Sequence, residues 1–75
     1  MHELDFELDP DRDHVELNHL LKLVGLCDSG GAGKAIVASG MVYVDGAQEL
    51  RKTCKIHAGQ VVQLEDITIH VHAAG

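Results

Sequence analysis

The apolar periodicity of the chain switches from helical to strand-like at Gly40, and that switch limits the architectures open to it. Upstream, Leu17, Leu20, Leu21 and Val24 fall at i, i+3, i+4 and i+7, one stripe of a helix that Gly25 is suited to end in the left-handed conformation. Ser29 is a good N-cap for a second helix running through Ala32, Ala35, Ile36 and Val37 to a stop at Gly40. Its first turn holds Gly30, Gly31 and Gly33, each costing up to ~1 kcal/mol of helix propensity relative to Ala, so this helix must lean on the first. Downstream the period is two. Met41-Val42-Tyr43-Val44 reads as a strand, Asp45-Gly46 is the strongest short hairpin signal available, and residues 47–50 begin the return. Further strands are expected at Val61–Leu64 and Ile67–His72, joined by a Glu65-Asp66 turn. These elements define an α+β fold in which a helical hairpin packs on one face of a small, mostly antiparallel sheet.

Polar and apolar residues also alternate over residues 3–9, with Leu4, Phe6 and Leu8 on one side and carboxylates on the other, the pattern of a half-buried strand. Carboxylates on an outer face discourage pairing with another chain, which suits an edge strand. Asp13 reads as the N-cap of the first helix, with Glu16 three residues on completing a capping box.

Seventy-five residues suffice for one domain, 1–75, with an acidic N-terminal strand in 1–12 and a core in 13–75. A chain this short buries only ~60% of its unfolded surface, so any pocket is shallow. Residues 29–44, uncharged apart from Lys34, are too few and too glycine-rich for the ~20 apolar residues of a membrane span. The acidic start is unlike a secretory leader, so a cytoplasmic protein is expected. The two cysteines, Cys27 and Cys54, are too few for a disulfide framework and are expected to be reduced. The net charge of −6 is unevenly spread: residues 1–16 hold seven acids against one base, and residues 17–75 hold five of each. The body is therefore neutral, with three of its bases gathered in Arg51-Lys52-Thr53-Cys54-Lys55.

The glycines around Lys34 fail as a nucleotide phosphate loop, which needs Gly where Asp28 stands and Ser or Thr where Ala35 stands. They fail as a dinucleotide fingerprint because Ile36 occupies the place of the third glycine. The start of the second helix retains a simpler capacity, to seat one phosphate on backbone N–H groups, against which stands the plain role of letting two helices approach. Six histidines raise the question of metal, yet His70 and His72, two apart on one strand, are too few ligands for a structural zinc site and are expected to be solvated. No nucleophile has a base and an orienting group in any local motif, so no enzyme, cofactor or small-molecule substrate is expected. With only Phe6 and Tyr43, the chain has no stacking platform for single strands; a nucleic-acid partner must be met through phosphates and shape.

The run Leu17-x-x-Leu20-Leu21-Lys22, Gly25, Ser29-Gly30, then Lys34-x-Ile36-Val37-x-x-Gly40-x-Val42-x-Val44-Asp45-Gly46, and finally Arg51-Lys52 before Lys55-Ile56-x-x-Gly59-Gln60-x-Val62, resembles the S4-like RNA-binding domain. The resemblance covers residues 14–64, and its most specific part is Ile36 to Gly46, where the family's usual Asn-Gly turn is here Asp45-Gly46. The short length, the N-terminal strand and Arg51-Lys52-x-Cys54-Lys55-Ile56 resemble the free-standing bacterial members. The resemblance implies the αL fold and an RNA-binding surface made by the two helices and the following hairpin, directed at structured or double-stranded RNA, often ribosomal. It places Lys34 at a commonly basic site and Arg51, Lys52 and Lys55 in the basic turn. Where many members carry Arg or Lys after the serine, this chain has Gly30.

A non-catalytic, monomeric RNA-binding module follows as the expectation, with Lys34, Arg51, Lys52 and Lys55 on phosphates, Lys22 at the margin, and Ser29, Gly30 and Gly31 capping one phosphate. The rival expectation is a protein-interaction module docking through its acidic N-terminal strand on a basic partner.

Overall fold

The computed structural model of the chain describes residues 2–74. In chain order its elements are β1 (His2–Glu7), β2 (His14–Glu16), α1 (Leu17–Leu23), α2 (Gly30–Ala38), β3 (Val42–Val44), β4 (Ala47–Gln48), β5 (Lys55–His57), β6 (Val61–Leu64) and β7 (Ile67–His72). Five strands form one sheet in the order β1-β7-β6-β3-β4, while β2 and β5 form a separate two-stranded ladder. Every pairing is antiparallel except β1 with β7, which places the N-terminal strand at an edge, as its outward carboxylates lead one to expect.

The core lies between the helical pair and the sheets. Leu17, Leu20 and Leu21 of α1 and Val37 of α2 are wholly buried against Val42, Ile56, Val62 and Ile69. At roughly 1.5–3 kcal/mol for each fully buried aliphatic side chain, this cluster is the main favourable contribution to folding. Leu8 joins it from beyond the end of β1, and Leu4 and Phe6 are half-buried beside it. Gly25 (φ 87°) and Gly40 (φ 83°) end α1 and α2 in the left-handed region as expected. Asp45 (φ 51°) and Gly46 (φ 87°) are both left-handed, the signature of a type I′ hairpin turn between β3 and β4.

Two departures from expectation concern the entry to α1. Asp13 is not its N-cap: residues 14–16 are extended as β2, Glu16 occupies the cap position, and its side chain makes no capping bond. The first N–H groups of α1 are satisfied from far along the chain, Leu17 N–H donating to the Cys54 carbonyl (2.8 Å) and Asn18 N–H to that of Lys52 (3.2 Å). Strand β5, absent from the sequence-based expectation, is what β2 pairs with. A local capping pattern thus yields to a long-range ladder that buries Ile56 and half-buries Val15. The return strand β4 is also shorter than expected, ending at Gln48.

His70 and His72 are exposed over 36% and 54% of their side chains, as expected of solvated histidines, and each is also paired. Their Nε2 atoms meet Glu3 Oε1 (2.9 Å) and Asp5 Oδ1 (2.7 Å) of the neighbouring β1, so the histidines and carboxylates interlock the parallel pair. Cys27 and Cys54 are both free thiols.

Candidate nucleic-acid interface

Asn18 is the junction on which the expected site is assembled. Its N–H donates to the Lys52 carbonyl, and its side-chain Nδ2 donates to the Gly30 carbonyl at 3.4 Å. The basic turn and the start of α2, far apart in sequence, are thereby brought to the same end of α1. The two helices also touch closely here: a Cβ on Gly33 would lie 2.4 Å from the Asn18 carbonyl oxygen, a distance no side chain tolerates. Gly33 therefore serves the close approach weighed above for the small residues of this helix. Gly30 is different, since a Cβ there would meet Asn18 Nδ2 at 3.4 Å and the His19 ring at 3.6 and 3.9 Å, ordinary contact distances.

At the start of α2, Ser29 Oγ accepts from Ala32 N–H at 3.0 Å and the Ser29 carbonyl accepts from Gly33 N–H at 3.1 Å. The N–H groups of Gly30 and Gly31 have no intrahelical carbonyl to reach, as the first residues of any helix do not, and these are the two donors available to an anion. Lys34, exposed, follows one turn after Gly30.

The basic turn is organised by an acid. Glu49 takes Arg51 Nε and Nη2 at 2.9 Å each in a two-pronged pair, and accepts the Arg51 backbone N–H at 2.9 Å. Its own N–H extends the β3–β4 pairing by donating to Val42 O. Only 15% of the Glu49 side chain is exposed against 77% of Arg51's, so the carboxylate lies beneath and the guanidinium faces out. Hydrogen bonds from the Arg51 side chain, then from its backbone, hold the Glu49 carboxyl far down, at about 2. The pairing raises Arg51 further above its already high value. Nη2 also reaches Cys54 Sγ at 3.5 Å, and burial, then the Glu49 charge, push the Cys54 thiol up. Of Arg51's five donors, the two on Nη1 remain for a phosphate.

The lysines have no such partner: among the described residues, no carboxylate lies within 4.0 Å of Lys22, Lys34, Lys52 or Lys55. Lys55 does sit directly across the β2–β5 ladder from Glu16. Arg51, Thr53, Cys54, Lys55 and His57 line one concavity of about 520 Å³. Lys22, exposed in the last turn of α1, lies one turn beyond Asn18.

Two residues central to this arrangement, Asn18 and Glu49, were not among those singled out by sequence. Asn18 is signalled only as a polar residue interrupting the buried run of Leu17, Leu20 and Leu21, and Glu49 only as an acid at the head of a basic turn.

A helical pair meeting a β-hairpin, with a basic turn closing on the first helix, defines an αL-type α+β module, and the S4 domain model matches residues 7–72. The chain belongs to the S4 domain family. It is 52% identical over 60 residues to YbcJ of Escherichia coli (strain K12), an overlap covering 80% of this chain and 86% of that one. The same figures hold for YbcJ of Shigella flexneri. The solution structure of the E. coli protein, described as revealing an αL motif involved in RNA binding, superposes with a TM-score of 0.71 at 48% identity, covering 92% of this chain and 86% of that one. Among the described residues no helix is long and apolar enough to cross a membrane.

Proposed function

We propose that this chain is a non-catalytic, cytoplasmic and monomeric module that binds folded RNA, ribosomal RNA among the candidates, by its phosphates and shape. Lys34, Arg51, Lys52 and Lys55 contact the backbone, Lys22 lies at the margin, and Ser29 with the N–H groups of Gly30 and Gly31 caps one phosphate, the N–H groups donating to its oxygens. The observation that carries this reading is the Asn18 junction, which draws the α2 start and the basic turn to one end of α1. The αL motif of the E. coli relative supports it. The rival docking surface, the acidic face of β1, already spends Glu3 and Asp5 on His70 and His72, so it is the weaker choice.

With about four phosphate contacts, the log–log salt dependence of affinity for a duplex or hairpin RNA should have a slope near −3 to −4, using ~0.9 per phosphate. Replacing Arg51 and Lys52 together by Ala should weaken binding across RNA sequences and flatten the slope by about two. Lys52→Ala alone should account for about one of these. Filter binding or fluorescence anisotropy over a salt series measures both quantities. A double variant that binds like the parent overturns the assignment. Size-exclusion of a lysate before and after nuclease treatment addresses the rival, because a complex that survives nuclease is held by protein.

A further inference from the structure

We infer that Asp13, His14 and His57 form a binding site for one borderline divalent transition ion of the Zn²⁺ class, on the outer face of the β2–β5 ladder. His14 and His57 are direct cross-strand partners, so their side chains leave the ladder on the same side, while Val15 and Ile56 turn to the core. Their ring centroids are 5.8 Å apart. One ligating atom from each of Asp13, His14 and His57 lies within 4.8 Å of the other two, and among the described residues no other trio of His, Cys, Asp or Glu achieves this.

The internal bonding of the trio couples coordination to a proton. Asp13 Oδ1 lies 2.7 Å from His14 Nδ1. In the metal-free chain the carboxylate accepts from His14 Nδ1–H; an ion that takes Asp13 Oδ1 and His14 Nδ1 together as ligands displaces that proton and sits between them, so its binding releases a proton. Tetrahedral coordination at ~2.0–2.1 Å per nitrogen puts two ligand atoms ~3.3 Å apart, so no pair has to close by more than roughly 1.5 Å, and the 2.7 Å pair of Asp13 and His14 opens slightly. That is a matter of side-chain rotation for a 28% exposed His14, an 87% exposed Asp13 and an exposed His57. Two imidazoles and one carboxylate, completed by water, suit zinc or copper over magnesium or calcium, which want oxygen ligands throughout.

The histidines of β7 offer no equivalent. The rings of His70 and His72 are 6.5 Å apart and each Nε2 is taken by a different carboxylate, so they do not converge. His57 also lines the concavity that holds Arg51 and Lys55. A dication there clips β2 to β5 and adds positive charge to that rim.

The test is calorimetric titration of the full, untagged chain with Zn²⁺ in metal-free buffer, and it reads metal uptake alone, so it stands or falls apart from the RNA reading. One equivalent should bind to the parent and to a His70→Gln/His72→Gln variant. Affinity should fall at least tenfold in His14→Gln and in His57→Gln, with circular dichroism verifying that each is folded. Undiminished binding in those two variants, or no one-to-one binding to the parent below millimolar Zn²⁺, overturns the site. Imidazole NMR resonances of the parent locate the ion without any substitution: His14 and His57 should move first, and first movement at His19, His70 or His72 also overturns it.

Discussion

Gly30 and Gly33 are three residues apart on α2, yet the packing gives them opposite roles. A methyl group at Gly33 meets the Asn18 backbone at 2.4 Å and can be housed only by prising the helices apart. Overpacking of this kind costs about 1–3 kcal/mol, more than the up to ~1 kcal/mol gained in helix propensity. Gly33→Ala should therefore lower the melting temperature, by several degrees at ~4–8 °C per kcal/mol for a domain of this size. Gly30→Ala meets only ordinary contacts and should leave it level or slightly raised. Gly30→Arg restores the base that many family members carry and should tighten RNA binding without loss of fold. Differential scanning calorimetry and anisotropy separate these outcomes, and equal destabilisation at both glycines would contradict the packing described.

Glu49 makes the basic turn sensitive to acid. Its carboxyl is held down at about 2 by Arg51, whereas an unfolded Glu titrates near ~4.3. A depressed acid contributes stability that is complete above the unfolded value and is lost as pH falls from there through the folded one. The stability advantage of the parent over Glu49→Gln should thus be constant at neutral pH and shrink between about 4.5 and 2. Denaturant titrations at stepped pH measure it. Parallel curves down to pH 2 would show that the pair with Arg51 is absent in solution.

At the scale of elements, the β3–β4 hairpin shows why this chain carries Asp where Asn is usual. Asp45 Oδ1 accepts from Val61 N–H at 3.0 Å and Oδ2 from Gln60 Nε2 at 3.1 Å, tying the turn to the start of β6. These bonds, that from Val61 first, keep the Asp45 carboxyl below its usual range. Gln60 is itself fixed, because its Oε1 accepts from His57 N–H at 2.7 Å. Asn at position 45 keeps one acceptor and turns an amide donor toward the Gln60 amide, donor facing donor. Asp45→Asn should therefore lower the denaturation midpoint at neutral pH even though Asn suits the left-handed turn, and the loss should vanish in a Gln60→Ala background. The elements legible in sequence were those whose signals are local: both helix stops at Gly25 and Gly40, the Ser29 cap, the Asp45-Gly46 turn, and Val61–Leu64 and Ile67–His72 to the residue. Strands β2 and β5 were not, because each spans three residues and gains its stability only from the other. The site divides in the same way. Lys34 and the bases of residues 51–55 announce themselves by type, whereas Asn18 and Glu49 act through bonds to residues whose proximity only folding creates.

For the whole molecule the remaining question is how a chain of net charge −6 approaches a polyanion. Its longest dimension is 33 Å, and the screening length is ~30 Å at 0.01 M salt but ~8 Å at 0.15 M. At low salt every carboxylate therefore acts on the incoming RNA, and at physiological salt only the nearest do. The excess acid resides in residues 1–16, whereas the proposed contacts come from α1, α2 and the turn after β4. Asp9 and Asp11 can be neutralised without touching the His70–Glu3 and His72–Asp5 pairs, since both are exposed and lie in the connection between β1 and β2. Asp9→Asn with Asp11→Asn should raise the association rate and affinity for RNA severalfold near 0.01 M salt, with the gain fading toward 0.15 M as screening isolates the connection from the basic turn. Stopped-flow association at the two salt concentrations provides the comparison. A gain that persists undiminished at 0.15 M would place these carboxylates within a few ångströms of the bound RNA and move the interface toward the N-terminal strand.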